Sequence, residues 1–256
     1  LVAAAMLAAV AASAGSAIDP ASGDAARAPR LLSTGQTVGY IGDAGAIGDG
    51  NRDDGDLVRG RLQEFVAASP ATPTIQLENT VLDANTGLQW IADIGLLDAE
   101  DGLGAHGNQV LAGTLSWQAA VDAANGLVYA GHDDWRLPNV NELETIVDFG
   151  RAEPALDPRA FPGAGATISP YLWSSTTLPS DPRLAYYVNT RDGHAYPFGK
   201  PTVLMARPVR TSGVQDPVAI LATGQSTAYR GDDGGLGTGN RDDGDLRHGL
   251  AVRYDW

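Results

Sequence analysis

The chain has 256 residues, enough for one full domain with smaller pieces around it and for a sizeable hydrophobic core. Its 31 Asp and Glu against 17 Lys and Arg give a net charge of −14, which argues against a phosphate-binding surface and so against nucleic acid as a partner. Cysteine is absent, which excludes disulfides, thiolate metal sites, iron–sulfur clusters and cysteine nucleophiles, while 32 Gly and 15 Pro mark a loop-rich globular chain.

Residues 1–17 (LVAAAMLAAVAASAGSA) are uncharged, small and apolar, with small-x-small sites at Ala12-Ser13-Ala14 and Gly15-Ser16-Ala17. This is the pattern of the apolar region and cleavage site of a secretory signal, too short and Ala-rich for a membrane span. The stretch reads as a partial signal peptide, with a linker over 18–30 and a buried Ala-rich helix as the alternative. The mature protein is expected to be secreted, periplasmic or at the cell surface, without membrane insertion.

An acidic Gly/Asp-rich segment follows over 31–66. Within it Thr34 to Gly60 (TGQTVGYIGDAGAIGDGNRDDGDLVRG) recurs as Thr223 to Gly249 (TGQSTAYRGDDGGLGTGNRDDGDLRHG), offset by 189, with 17 of 27 positions identical. The recurrence predicts a tandem array whose second unit begins at 213–256. In the first copy Asp49, Asn51, Asp53, Asp54 and Asp56 crowd around Gly50 and Gly55, hard oxygen ligands on a flexible chain that suit calcium. The pattern is no EF-hand: its Gly falls one position late, no Glu stands twelfth, and Thr238 replaces Asp49 in the second copy. The alternative is a solvated turn whose Asp and Asn side chains bond nearby N–H groups beside Arg52.

Between the copies, residues 78–212 read as mixed α and β. Asn85-Thr86-Gly87 separates two apolar runs within 80–93 as a hairpin turn. Ser116 is placed to cap a helix with Trp117, Val121 and Ala124 at i, i+4 and i+7, ending at Gly126. Asn139 and Glu142 have capping-box spacing ahead of Leu143, Ile146 and Val147, with Gly150 as the stop. Strands are expected at 171–176, 185–189, 194–196 and 202–209, with Arg191-Asp192-Gly193 as a hairpin tip.

Catalytic patterns are missing. The GxGxxG match at 102–107 has no strand before it and no helical pattern after it. His106, His132, His194 and His248 fall at no zinc-hydrolase spacing, and Ser174 and Ser175 lie in no nucleophile elbow. The chain is not expected to be an enzyme.

The series DANTGLQW (83–90), SWQAAVDAANGLVYAGHDDWRLPNVNELETIVDFG (116–150), PALDPRAFPG (154–163), YLWSST (171–176), AYYVNTRDG (185–193) and ARPVR (206–210) resembles the Lcl C-terminal-like domain family, in order over 78–212. The TGQ…DDGDL segments resemble the acidic lead-ins before such domains in tandem bacterial surface proteins. The resemblance implies an α+β, C-type-lectin-like domain of largely unknown function, with two short helices and short antiparallel strands, flanked by loop-rich acidic repeats. One relative is an adhesin domain that binds sulfated glycosaminoglycans. Members commonly carry cysteines where Ala124 and Pro208 stand here, so a family disulfide is absent. Residues 78–212 hold eight Lys and Arg against sixteen Asp and Glu, which argues against transferring the polyanion ligand.

Trp135-Arg136-Leu137-Pro138 with Glu142 also resembles a segment of formylglycine-generating oxidases, whose chemistry needs cysteines this chain lacks. The shared residues, with Trp90 and Pro138, read as scaffold: Trp135 in the core, Arg136 salt-bridged, Asn139 and Glu142 capping. The lectin-like scaffold places ligands near 154–169 and 178–182, which nominates Trp173, Tyr187, Asn189, Arg191 and Asp192. Trp173 and Tyr187 are equally suited to a core, since a half-buried strand turns every second residue inward. The expected function is an exported binding module of a tandem array, acting in adhesion to or recognition of glycan or protein ligands. A calcium-stabilised spacer and an enzyme with an unrecognised site are the alternatives.

Overall fold

The structure, a computed structural model, describes residues 32–36, 40–41, 46–47, 63–67, 79–97, 114–162, 169–212 and 220–250. The signal-like stretch 1–17, the linker 18–30, the acidic positions Asp49, Asn51, Asp53, Asp54 and Asp56, and the 102–107 glycine segment lie outside the described residues.

A tight turn starts the first sheet. Strands β4 (Thr80–Asp83) and β5 (Leu88–Ile91) pair antiparallel. Asp83 holds the turn between them, its carboxylate accepting the N–H groups of Asn85 and Thr86 and the Thr86 hydroxyl. Strand β3 (Phe65–Ala67) and strand β9 (Val209–Thr211) flank this hairpin, giving an antiparallel sheet in the order β3-β4-β5-β9. The start and end of the 79–211 region therefore lie side by side.

Helix α1 (Trp117–Asn125) buries Trp117, Ala120, Val121, Ala123 and Ala124 on one face, as the i, i+4, i+7 spacing requires. Ser116 stands at its N-cap but its side chain makes no cap bond. The Gln118 N–H is instead accepted by the Asp232 carboxylate, 114 residues along the chain, at 2.8 Å. Helix α2 (Val140–Glu144) opens with a complete capping box: Asn139 Oδ1 accepts the Glu142 N–H at 2.8 Å, and Glu142 Oε2 accepts the Asn139 N–H at 2.9 Å. It ends well before Gly150 because outside partners take the next backbone groups. Gln63 Nε2 donates to the carbonyls of Thr145 and Val147, Asp148 N–H goes to Ala155 O, and Phe149 N–H goes to Thr34 O.

A second antiparallel sheet consists of β6 (Tyr171–Thr177), β7 (Leu184–Asn189) and β8 (Ala195–Gly199), in that order. The expected strand over 202–209 does not form. Leu204 and Met205 make single bridges to Leu115 and Leu172, and only Val209 enters β9. Pro201 and Pro208 lack N–H donors. Between them the buried Arg207 turns inward to donate to the carbonyls of Ile91 and Ala92.

Two small hairpins complete the described elements. Strands β1 (Tyr40–Ile41) and β2 (Ala46–Ile47) pair Tyr40 with Ile47, while β10 (Tyr229–Arg230) and β11 (Gly235–Leu236) pair Tyr229 with Leu236, the same register at the 189-residue offset. A last helical turn, α3 (Asp243–Leu246), is capped by Asp242, which accepts the Asp245 N–H. The architecture is mixed α+β, and among the described residues no helix is long and apolar enough to cross a membrane.

Four tryptophans anchor the core, Trp90, Trp117, Trp135 and Trp173, all fully buried. Three of their indole N–H groups reach backbone carbonyls, of Ser174, Tyr129 and Leu115 respectively for Trp117, Trp135 and Trp173. Such pairing offsets the cost of burying a polar atom with a large ring.

Candidate functional site

The three-stranded sheet carries a row of aromatic rings from the core to the solvent. In its register Trp173 stands opposite Tyr187, and Tyr187 opposite Tyr196. Side chains of directly opposed residues share a face, and Phe198 joins them because it stands two residues beyond Tyr196. Trp173 is fully buried and Tyr187 half-buried, while Tyr196 and Phe198 are 42% and 47% exposed. Tyr187 is the hub. Its ring centroid lies 5.3 Å from that of Tyr171, 6.4 Å from Trp173, 6.0 Å from Tyr196 and 5.9 Å from Phe198. The row continues through His194, 6.2 Å from Tyr196, to the exposed Phe149, 6.3 Å from His194.

The polar rim comes from the β7–β8 turn. Gly193 takes the turn at φ +79°, and a Cβ there would run into Val147. Asn189 Nδ2 donates to Asp192 Oδ2 at 2.9 Å, Asn189 Oδ1 accepts the Arg191 N–H, and Asp192 Oδ1 accepts the His194 N–H. Asn189 and Asp192 thus hold the turn in shape, and Arg191 is exposed at its tip. Burial, reinforced by Tyr171, Tyr196 and Asp192, raises the Tyr187 hydroxyl above the usual phenol range, so it stays a neutral donor at physiological pH. Flat rings with carboxylate, amide and hydroxyl groups at the edge suit a ligand that has an apolar face and a polar rim.

Of the residues nominated from the sequence, Tyr187, Asn189, Arg191 and Asp192 come together here, whereas Trp173 lies beneath in the core. Sequence reasoning missed Tyr171, Tyr196, Phe198, His194 and Phe149. The Tyr-Pro-Phe alternation at 196–198 was the available signal, since a proline inside a strand marks an edge and its neighbours then share one face.

The scaffold residues occupy a different region. Arg136 and Glu142 form a buried two-pronged ion pair with both N···O distances at 2.7 Å. Glu142 also caps α2, so both its oxygens are engaged. Pro138 O accepts the Ser175 N–H and hydroxyl, and Trp90 and Trp135 are core.

The acidic side chains of 223–249 are likewise engaged with protein donors. Asp242 accepts the Tyr229 N–H at 2.9 Å, Asp243 accepts the Thr176 and Thr223 hydroxyls, and Asp245 accepts the Arg241 N–H. Burial pushes Asp242 up to about 6 and raises Asp243 as well. Among the described residues no group of three or more His, Asp or Glu is arranged to hold a metal ion.

The sequence model of the Lcl C-terminal domain family matches residues 79–210, more than half of the chain and the span that holds the β4–β5 hairpin, the three-stranded sheet, α1 and α2. No curated protein matches the chain.

Proposed function

The chain belongs to the Lcl C-terminal domain family, and on that premise we propose that it is an exported, non-catalytic binding module that holds a ligand on the aromatic face of its three-stranded sheet. The observation that carries this reading is the exposed end of the ring row, Tyr196 and Phe198 beside Tyr187, on the edge strand of the sheet. Large apolar rings left open to water cost free energy unless a partner covers them. A glycan is the ligand class that fits best. Pyranose faces stack on rings, and ring hydroxyls pair with groups such as Asp192, Asn189 and the tyrosine hydroxyls. The acidic surface disfavours sulfated polyanions and favours neutral or amino sugars, or a basic protein loop.

Export is supported by the signal-like 1–17 stretch, and the TGQ…DDGDL recurrence supports a place in a tandem surface array that serves adhesion or recognition. The test is a screen of the chain against immobilised neutral, amino and sulfated oligosaccharides, with Tyr196→Ala/Phe198→Ala alongside. Retention of a neutral or amino sugar, weakened at least about tenfold in the double variant, supports the reading, since each lost ring contact is worth about 0.5–1.5 kcal/mol beyond its buried area. Retention that the double variant leaves unchanged, or no retention of any class, rejects the ring face as the site.

A further inference from the structure

Phe198, Tyr196 and His194 stand at alternate positions of β8 and of the turn that leads into it. Their side chains therefore leave the same face of the sheet, about 7 Å apart along the backbone. The His194 and Tyr196 rings are tilted by 33° to one another with centroids 6.2 Å apart. Phe149 adds a fourth ring from the loop after α2, with its centroid 6.3 Å from that of His194. It reaches this place because residue 193 is a glycine: a Cβ there would meet Val147 and lie 3.2 Å from Phe149 Cε1. All four rings are exposed. Their arrangement is a strip several rings long, carried on two elements, and not a pocket for one ring.

The backbone of β8 and the charges beside it narrow what can lie on that strip. Lys200 N–H donates to Arg183 O and His194 O accepts the Asn189 N–H, so the even-numbered backbone groups of this strand face β7. Those of Ala195, Pro197 and Gly199 face away from it. Pro197 has no N–H to offer there, and Gly199 O already accepts the Thr202 N–H. A peptide strand added along β8 would thus lack a rung at two of three outward positions, which is how edge strands discourage such pairing. Recognition falls to the rings. Beside Phe149, Arg151 Nε donates to Asp148 Oδ2 at 2.6 Å, and beside His194, Arg191 and Asp192 are neighbours in the turn. Alternating opposite charges give a polyanion no field to follow and leave donors and acceptors for hydroxyl groups.

Resting on the glycan reading of this face, we propose that the strip holds the interior of a linear, β-linked chain of neutral or amino sugars laid lengthwise along β8, with His194 and Phe149 as its far subsite. Such a chain is an extended ribbon whose pyranose faces follow one another at a step comparable to that of these rings. An α-linked chain coils away from a straight strip.

The full chain is titrated by calorimetry with cello- and chito-oligosaccharides of increasing length, from the single sugar to the hexamer, and with malto-oligosaccharides as the coiled counterpart. At least one β-linked series gains about tenfold in affinity from dimer to tetramer, and the malto series stays weaker at each length. Phe149→Ala weakens the tetramer about three- to tenfold, the worth of one ring contact, and leaves the dimer within about twofold of the parent. The retained dimer also shows that the variant folds. Affinity that levels off at the single sugar or the dimer, a tetramer that Phe149→Ala leaves unchanged, or a malto series bound as tightly overturns lengthwise binding. The ring-face reading survives each of those results as long as Tyr196→Ala/Phe198→Ala still weakens what is bound. A parent that binds neither β-linked series overturns the proposal as well, and the ring face then stands or falls on the wider oligosaccharide screen.

Discussion

Two surfaces of the same domain contrast in how their chemistry is used. On the side that meets residues 220–250, polar groups pair across the contact, Gln118 with Asp232 and Asn240, Thr176 with Asp243, Thr177 with Gln225. On the ring side, Tyr196 and Phe198 contact other rings on one flank and water on the other. The first surface is a contact made within the chain, and its loss should be read in stability. The second is open to solvent, and under the proposed function its loss should be read in binding. Substitutions that separate stability from binding can break or sharpen that contrast.

The largest effects belong to what lies beneath both surfaces. Trp173→Ala empties a fully buried site between the ring row and the core and should cost about 3–5 kcal/mol in chemical denaturation. Glu142→Ala should cost a similar ~3–5 kcal/mol, because it strands the buried Arg136 without its two-pronged partner. A much smaller loss at Trp173 would mean that the ring row is not continuous with the core.

Next comes the contact between the domain and residues 220–250. Asp243→Ala leaves the buried Thr176 hydroxyl without its acceptor and should cost about 1–3 kcal/mol. Amide protection should fall at Thr177 while ligand retention by the ring face stays unchanged. A fall in both would join the two surfaces that the structure keeps apart.

The pH dependence is smaller and has two branches. Burial pushes Lys200 down from its ordinary 10.5 to about 8, against the attraction of Asp242, Asp232 and Asp233. Between those values the unfolded chain holds the proton more tightly, so Lys200 adds stability as pH rises from about 8 towards 10.5, and that stability is lost as pH falls through about 8. Asp242 is pushed up from 3.8 to about 6, mainly by burial, so its contribution is full below about 4 and is lost as pH rises through about 6. The segment is therefore seated least firmly between about 6 and about 8. Melting temperatures of Lys200→Met should lack the alkaline rise and keep the acid one. A rise that persists in the variant would assign it to another group.

The smallest stability change is expected at the ring face itself. Tyr196→Ala and Phe198→Ala each remove a ring that is nearly half exposed and touches Tyr187, and should shift stability by no more than about 1 kcal/mol.

What could be read from the sequence was local. The Asp83 turn, the Asn139–Glu142 capping box and the inward positions of α1 each depend on residues a few places apart, and side-chain type and spacing alone specify such contacts. What could not be read was the pairing of distant segments. The cap of α1 comes from Asp232 rather than Ser116, and the end of α2 is fixed by Gln63 and Thr34. The ring row depends on the register of β6, β7 and β8, which no single strand contains. The Asp-rich pattern of 223–249 resembles a cation loop in sequence because carboxylates that accept protein N–H and hydroxyl groups are the same residues that would ligate calcium. Only their partners distinguish the two: those of Asp242 and Asp245 stand within 223–249, while Asp232 and Asp243 also draw on α1 and β6.

Binding at the ring face is tested most directly by mapping. The isotopically labelled chain is titrated with an oligosaccharide it retains, and backbone and aromatic resonances are followed by NMR. The account predicts shifts concentrated at Tyr187, Tyr196 and Phe198, with Gln118 and Thr177 unmoved. Shifts centred on Gln118 and Thr177, or spread without focus over the chain, would contradict it.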